Sequence, residues 1–233
     1  MAESPFEAAL IVGAGPGVSA SLARLFARER MQVALASRAT SKLAELARET
    51  GAVLFDCDAS DPASVSKLFV DVEAAIGAPD VVVYNPSYRV RGPLVDLDPA
   101  EVARTLAVTA FGAFLVAQGA ARGMLAAGRG TILLTGASAG VKGFAQSAPF
   151  AMGKFALRGL AQSMARELHP QGVHVVHVVV DGGIRSASRA SPPDRPDSLL
   201  DPDAIAQTML DVLAQPRSCW TDEVAVRPWT EGF

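Results

Sequence analysis

Three glycines in the stretch 9–20 have the spacing of a turn that binds phosphate. Gly13, Gly15 and Gly17 follow a short apolar run and stand directly before a helical pattern of apolar residues. Glycine allows a tight turn whose backbone N–H groups approach a ligand closely, and the start of a helix adds unpaired N–H groups and a positive dipole end. We therefore predict that this turn binds the pyrophosphate of a dinucleotide.

The pattern departs from the strict fingerprint G-x-G-x-x-G, because Val18 stands where the third glycine belongs. A loop that merely needs glycine is the alternative interpretation. The position of the turn behind a buried strand favours the nucleotide site, with Val18 at the start of the helix as part of it.

A second group of residues follows the next predicted strand and indicates which nucleotide binds. Ser37 and Arg38 stand where an acidic residue would hold the ribose 2′-hydroxyl of NAD. A guanidinium beside a hydroxyl suits a 2′-phosphate instead, so we predict NADP(H) as the preferred cofactor, with NAD(H) as the alternative. A solvated arginine at a strand end is the other interpretation. Asp58, after the third predicted strand, is a candidate for the adenine amino group or a turn residue.

The elements that must position these residues alternate between strand and helix along the whole chain, which is typical of crossover units on a parallel sheet. The sequence predicts a single-domain, Rossmann-like α/β fold over 1–233, with a doubly wound parallel sheet and helices on both faces. The predicted strands are 9–12, 32–36, 52–55, 80–84, 131–135 and 173–180.

Asp-Pro pairs mark three helix starts, at Asp61, Asp98 and Asp201. The helix predicted over 99–127 is apolar nearly all round, so it lies either in the core or in a subunit interface, and we favour the interface. The irregular stretch 181–201 follows the end of a strand, where ligands bind in such sheets, and we predict that it is a substrate lid.

Composition excludes several classes of protein. A net charge of −3 over 233 residues argues against nucleic acid or an anionic membrane as partner. No apolar run approaches the ~20 residues of a membrane span, and residues 1–5 lack the features of a signal peptide, so a cytoplasmic location is expected. Cys57 and Cys219 have no metal-ligand spacing, and no metal site is predicted.

Taken in order, these motifs resemble the short-chain dehydrogenase/reductase family over essentially the whole chain. The turn 13–19 is similar to that family's TGxxxGxG, with Ser19 in place of the last glycine. Further matches are Asp58 at the adenine-contacting Asp, Asn85 in the Asn-Asn-Ala-Gly motif, Gly112 in the long interface helix, 150–154 at Tyr-x-x-x-Lys, and Asp181-Gly182 at Pro-Gly.

The resemblance implies a nicotinamide cofactor, a hydride-transfer site and a homodimer or homotetramer. By position, Lys154 is the family's lysine, which holds the nicotinamide ribose, and Gly182 joins the cofactor site. Phe150 stands at the catalytic tyrosine, which makes this chain an atypical member, and Thr109 stands at the asparagine. Ala137 occupies the position of the substrate-binding serine, with Ser138 next to it.

A phenylalanine side chain cannot act as a general acid, so another group must supply the proton for the reaction. Only two tyrosines are present, and Tyr88, just beyond the fourth predicted strand, is the candidate that faces the cleft. The sequence therefore predicts an NADP(H)-dependent oxidoreductase acting on a small carbonyl or enoyl substrate, with Lys154, Ser138 and Tyr88 as catalytic residues. The alternative is a cofactor-binding protein with little catalysis, serving as a sensor or an assembly partner.

Overall fold

The computed structural model describes residues 6–231, and seven strands in this range form one parallel sheet. The strands are β1 (Ala8–Val12), β2 (Gln32–Ser37), β3 (Val53–Asp56), β4 (Val81–Tyr84), β5 (Gly130–Thr135), β6 (Val173–Val180) and β7 (Glu223–Val226). The helices are α1 (Val18–Arg28), α2 (Ala44–Thr50), α3 (Pro62–Ile76), α4 (Pro99–Leu106), α5 (Gly112–Ala127), α6 (Ala148–Leu168) and α7 (Pro202–Leu213). The stretch 1–5, for which no signal peptide was predicted, lies outside the described residues.

The strand order is β3-β2-β1-β4-β5-β6-β7, so the direction of winding reverses between β1 and β4. Neighbouring residues of β1 face opposite sides of the sheet, because side chains alternate along a strand. Leu10 packs in the core beneath α3, α5 and α6, and Ile11 packs in the core beneath α1 and α7. This arrangement confirms the predicted α/β fold with a doubly wound parallel sheet. It also creates a crevice at the carboxyl ends of β1 and β4, the usual ligand site of such sheets.

The predicted helix starts are confirmed. Asp61 accepts hydrogen bonds from the backbone N–H groups of α3, and Asp98 and Asp201 do the same for α4 and α7. Each aspartate is followed by a proline, whose missing N–H costs nothing in the first turn of a helix. Local sequence therefore determines where these three helices begin.

The long predicted helix 99–127 is interrupted. One π-helical turn, Ala107–Phe111, separates α4 from α5, and the Tyr84 hydroxyl donates a hydrogen bond to the Val108 carbonyl in that turn. The expectation that no stretch reaches the length of a membrane span also needs correction. By length and composition alone this 29-residue helix is long and apolar enough to cross a membrane, with 33% of its most apolar part buried in the fold.

Two segments near the C-terminus differ in how well the sequence predicted them. The stretch 181–201 has no helix or extended strand, as expected, and is held by isolated bridges between Ile184 and Leu200 and between Ser186 and Arg189. Strand β7 was not predicted, because it is only four residues long and mostly half-buried, so it lacks the continuous apolar run of the inner strands.

Candidate nucleotide and substrate site

The glycine-rich turn fits closely between the ends of three strands. Gly13 adopts a left-handed φ of 79°, and its N–H and that of Ala14 donate to the Ala36 carbonyl at the end of β2. A Cβ atom on Gly13 would lie 2.5 Å from the Pro86 nitrogen, after β4. Only glycine satisfies both conditions, so this position sets the path of the turn.

The start of α1 lies open behind this turn. No side chain caps the helix at Gly17, which leaves the first N–H groups, from Val18 onward, for a ligand. The buried Ser19 hydroxyl lies 3.3 Å from the Gly13 carbonyl and accepts a hydrogen bond of 2.8 Å from the Asn85 side chain. These two residues therefore brace the turn against the end of β4, while Gly15 and Gly17 line a separate cavity beside α1 and α2.

A first cavity, of about 290 Å³, extends from the turn over the ends of β2 and β3. Gly13, Ser37, Arg38, Asp58 and Asn85 all line it, so the structure brings together these predicted cofactor residues. Asp58 accepts hydrogen bonds from the hydroxyl and N–H of Ser60, at 2.6 and 2.9 Å. These bonds, with a smaller contribution from the Arg38 charge, lower the pKa of the Asp58 carboxyl. The cavity thus has a cation and an anion at its rim.

A second cavity, of about 380 Å³, lies over the ends of β4, β5 and β6. Ser138, Lys154 and Gly182 line it, and so does Asn85, which also lines the first cavity. The two cavities therefore meet at Asn85. Residues far apart in sequence form one continuous crevice along the strand ends.

Lys154 lies at the floor of the second cavity and is 3% exposed. Its ammonium donates a hydrogen bond of 2.6 Å to the Thr135 carbonyl and lies 5.9 Å from the centre of the Phe150 ring. Burial lowers the pKa of Lys154 to about 8. An ammonium in this position has further donors for a sugar hydroxyl or a substrate oxygen.

The other positions that the resemblance assigns to a catalytic motif lie near Lys154. Phe150 and Ala137 line the same cavity, while Thr109 is fully buried in the π-helical turn. A Cβ atom on Gly153 would lie 3.0 Å from the Thr109 Cβ, so α6 packs closely on that turn. Ser138 begins a short 3₁₀ turn after β5 and is half-buried. Ser138, which follows the position of the family's substrate-binding serine, therefore contributes a hydroxyl group to the cavity wall.

Tyr88 is not brought to this group. Its hydroxyl donates a 2.5 Å hydrogen bond to the Glu101 carboxylate, which raises the pKa of Tyr88, and the Arg104 guanidinium lies 4.5 Å above its ring. Neither cavity is lined by Tyr88. The Glu101 carboxylate, in the first turn of α4, thus directs Tyr88 away from the two cavities.

The structure also places residues in the cavity that sequence reasoning missed. Three arginines, Arg89, Arg91 and Arg189, line its outer part. The alternation Arg89-Val90-Arg91, in the loop that follows β4, was the available signal, because it places two cations on one side of an extended chain.

The second feature that sequence reasoning missed lies beneath the floor. The His177 Nδ1–H donates a 2.9 Å hydrogen bond to the Glu223 carboxylate, which also accepts two 2.7 Å hydrogen bonds from Arg158. A Cβ atom on Gly136 would lie 2.3 Å from the His177 Nε2. Burial lowers the pKa of His177. Within 6–231, no group of three His, Cys, Asp or Glu side chains is placed to hold a metal ion.

Comparison with known proteins assigns this architecture to a family. A family model described as short chain dehydrogenase matches residues 7–195. An uncharacterised oxidoreductase of Staphylococcus aureus (strain N315) is 27% identical over 226 residues, which cover 94% of this chain and 96% of that protein.

Solved structures agree with the sequence match. A short-chain dehydrogenase from Rhodopseudomonas palustris is 30% identical with a TM-score of 0.83, over 96% of this chain and 99% of that one. A metagenomic short-chain oxidoreductase, solved in complex with NADP, is 30% identical with a TM-score of 0.82, over 95% and 97% of the two chains.

Proposed function

Because the chain belongs to the short-chain dehydrogenase family, we propose that it is an NADP(H)-dependent oxidoreductase that acts on a small carbonyl or enoyl substrate. The meeting of the two cavities at Asn85 is the observation that carries the proposal. One cavity has a guanidinium for a phosphate at its far end, and the other has a buried ammonium, so a dinucleotide would extend from Arg38 to Lys154. The solved relative in complex with NADP supports the same choice of cofactor.

The residues of the crevice fit such a cofactor. NADP(H) would supply or accept a hydride at its nicotinamide. The turn at Gly15, Gly17 and Val18 would offer N–H groups to the pyrophosphate, and glycine at position 13 allows the left-handed φ of 79° that sets the path of the turn. Ser37 and Arg38 would hold the 2′-phosphate, and Asp58 would accept a hydrogen bond from the adenine amino group. Asn85, Lys154 and Gly182 line the nicotinamide end.

The preference for NADP(H) is tested by changing Arg38. An Arg38→Asp variant replaces a phosphate-binding cation with an acceptor for a ribose hydroxyl, so the ratio of the NADPH and NADH dissociation constants should move toward NADH by at least about tenfold. Isothermal titration calorimetry with each nucleotide measures the ratio. An Arg48→Asp variant, exposed on α2 and outside both cavities, is the matched control for the change in charge. An unchanged ratio in Arg38→Asp contradicts the assignment.

The catalytic roles that we propose follow from where the residues lie in the second cavity. Ser138 would donate a hydrogen bond to the substrate oxygen, and Lys154 would hold the nicotinamide ribose from the floor of the cavity. Phe150 provides no proton where the family has its tyrosine, and Tyr88 would reach a substrate only after release from Glu101. Reduction of an activated double bond suits this site better than alcohol oxidation, because it depends less on a proton at the oxygen.

A sensor or assembly protein is the second candidate, and Phe150 is the observation that favours it. The two functions separate in one assay, in which the protein is mixed with NADPH and a panel of ketones, aldehydes and enoyl thioesters. Sustained loss of NADPH absorbance supports the enzyme. Tight NADPH binding without turnover supports the sensor.

We also propose that 181–201 acts as a lid and that α5 and α6 form a homodimer or homotetramer contact. The lid proposal is supported by Gly182, Gly183 and Ile184, which line the second cavity from the start of this segment. The oligomer proposal is supported by large apolar side chains exposed on the two helices and the π-helical turn. These are Phe111, Phe114, Leu125, Met152 and Phe155.

A further inference from the structure

The outer part of the second cavity is strongly cationic. Arg89, Arg91 and Arg189 line it, Lys154 lies at its floor, and its wall contains no aspartate or glutamate among the described residues. The chain as a whole carries a net charge of −3, so composition does not account for this concentration of positive charge. The excess of positive charge is therefore a local property of this cavity.

These three arginines also lack the carboxylate partners that some other arginines of the protein have. Arg24, Arg158 and Arg185 each form an ion pair of 2.8 Å or less with an acidic side chain. Within residues 6–231, no such pair involves the three cavity arginines.

The charges that act on Arg89 are those of the other two cavity arginines. Partial burial, followed by the charges of Arg91 and Arg189, lowers the pKa of the Arg89 guanidinium. Mutually repelling cations without a counter-charge bind an anion favourably, because the ligand supplies the missing charge.

The fold holds the arginines in place on both sides of the cavity. The Arg89 guanidinium lies 4.9 Å above the centre of the Phe150 ring, a cation–π contact. The N–H of Gly92 donates a 3.1 Å hydrogen bond to the Gln146 carbonyl, which ties the loop after β4 to the loop before α6. Arg89 and Arg91 therefore project from a braced segment.

Arg189 approaches from the opposite side. Its backbone forms two hydrogen bonds with Ser186, of 2.9 and 3.1 Å, that close a tight turn in the predicted lid. A Cβ atom on Gly183 would lie 3.2 Å from the Arg189 Nη1, so the absence of a side chain at Gly183 leaves room for the guanidinium beside the cavity. Two loops from different strands thus direct guanidinium groups into one space.

We propose that the substrate carries an anionic group, a carboxylate or a phosphate, which Arg89, Arg91 and Arg189 bind while its reacting end lies beside Ser138 and Lys154. This inference rests on the proposed function, because it names the substrate class of the same site. Guanidinium groups bind carboxylate and phosphate through paired hydrogen bonds, so three of them select a charged substrate over its neutral analogue.

Calorimetry on the protein saturated with NADP⁺ tests the proposal, because the nucleotide then occupies the phosphate-binding turn. The probes are malonate, methyl phosphate and the neutral malonamide. We expect at least one anion to bind about tenfold or more tighter than malonamide, and its affinity to fall with added NaCl. The tighter of the two anions identifies the group that the substrate carries.

Single variants Arg89→Gln, Arg91→Gln and Arg189→Gln should each weaken that anion roughly 3- to 10-fold, and Arg48→Gln should leave it unchanged. Far-ultraviolet circular dichroism and the NADP⁺ affinity confirm that each variant is folded.

Equal binding of the anions and malonamide, or anion binding unaffected by all three arginine variants, overturns the proposal. If NADP⁺ binds while either of these results is found, only the anionic substrate is rejected and the proposed oxidoreductase stands. Absence of NADP⁺ binding rejects the oxidoreductase itself, and the inferred substrate class with it.

Discussion

Lys154 shows how burial changes the chemistry of a single residue. Its ammonium is held by the Thr135 carbonyl beneath an aromatic ring, and burial lowers its pKa to about 8 from an ordinary value of 10.5. The group is therefore mostly protonated at pH 7 and loses its charge in mildly alkaline solution. A hydrogen-bond donor in the site becomes sensitive to pH in a range where exposed lysines are not.

This lowered pKa predicts a pH dependence of stability. Between pH 8 and 10.5 the unfolded chain binds a proton at Lys154 that the folded protein has released. The contribution of Lys154 to the free energy of unfolding therefore rises with pH in this range. Urea unfolding from pH 7 to 9.5 measures it, and a Lys154→Met variant should show a shallower rise. The same slope in both proteins would contradict the role of burial.

Phe150 is the residue on which we propose that catalytic competence depends. It stands one helical turn before Lys154, and the family resemblance places the proton donor at this position. We expect Phe150→Tyr to raise kcat for ketone reduction by ~10²–10⁴-fold, the usual contribution of general acid catalysis. NADPH consumption with a ketone panel measures the gain. If the folded variant binds NADPH but shows no gain in kcat, the site lacks more than the tyrosine hydroxyl.

At the scale of elements, the strand–turn–helix unit β1–α1 depends on one backbone conformation. Gly13→Ala would add a Cβ at φ 79°, 2.5 Å from the Pro86 nitrogen. We expect a loss of more than about 1 kcal/mol in the free energy of unfolding, measured by urea denaturation, together with weaker NADPH binding. Gly15→Ala is the matched control, because its Cβ would have nothing within 4 Å. Equal stabilities of the two variants would refute the strain argument.

The break between α4 and α5 is another consequence of packing. Tyr84, from the end of β4, donates its hydroxyl proton to the Val108 carbonyl. A Cβ atom on Gly112 would lie 2.5 Å from the same hydroxyl oxygen, so glycine there lets the helix approach the strand. π-helical turns often occur at functional sites, and this one holds Thr109 against α6. The apolar pattern continues through the turn and therefore gives no indication of it.

At the scale of the whole molecule, the exposed apolar side chains of α5 and α6 predict association. Phe114 is 41% exposed and stacks at 6.3 Å on Phe111. Phe114→Glu should convert the oligomer to a single chain of 24.2 kDa, because a charge would be desolvated in the contact. Size-exclusion chromatography with light scattering measures the mass. Val70→Glu, on α3 and 66% exposed, is the control, and a wild-type protein that is already monomeric would reject the contact.

The sequence by itself determined the alternation of strands and helices, the glycine-rich turn after β1 and the starts of α3, α4 and α7. These features depend on neighbours within a few positions: apolar periodicity, glycine conformation and Asp-Pro capping. The position of Ser37 and Arg38 in the site was predicted in the same way, because the two residues are adjacent in sequence at the end of β2.

Only the tertiary structure decided which residues share the substrate cavity. Arg91 and Arg189 are distant in sequence and line the same cavity from opposite sides, while Tyr88, three residues after Asn85, turns toward Glu101. Loops after parallel strands meet because the sheet places their carboxyl ends side by side, and no local pattern records which side chain then faces the crevice. The first cavity is lined mostly by residues from 12–87, one continuous part of the chain, whereas the second is assembled from distant loops that only folding brings together.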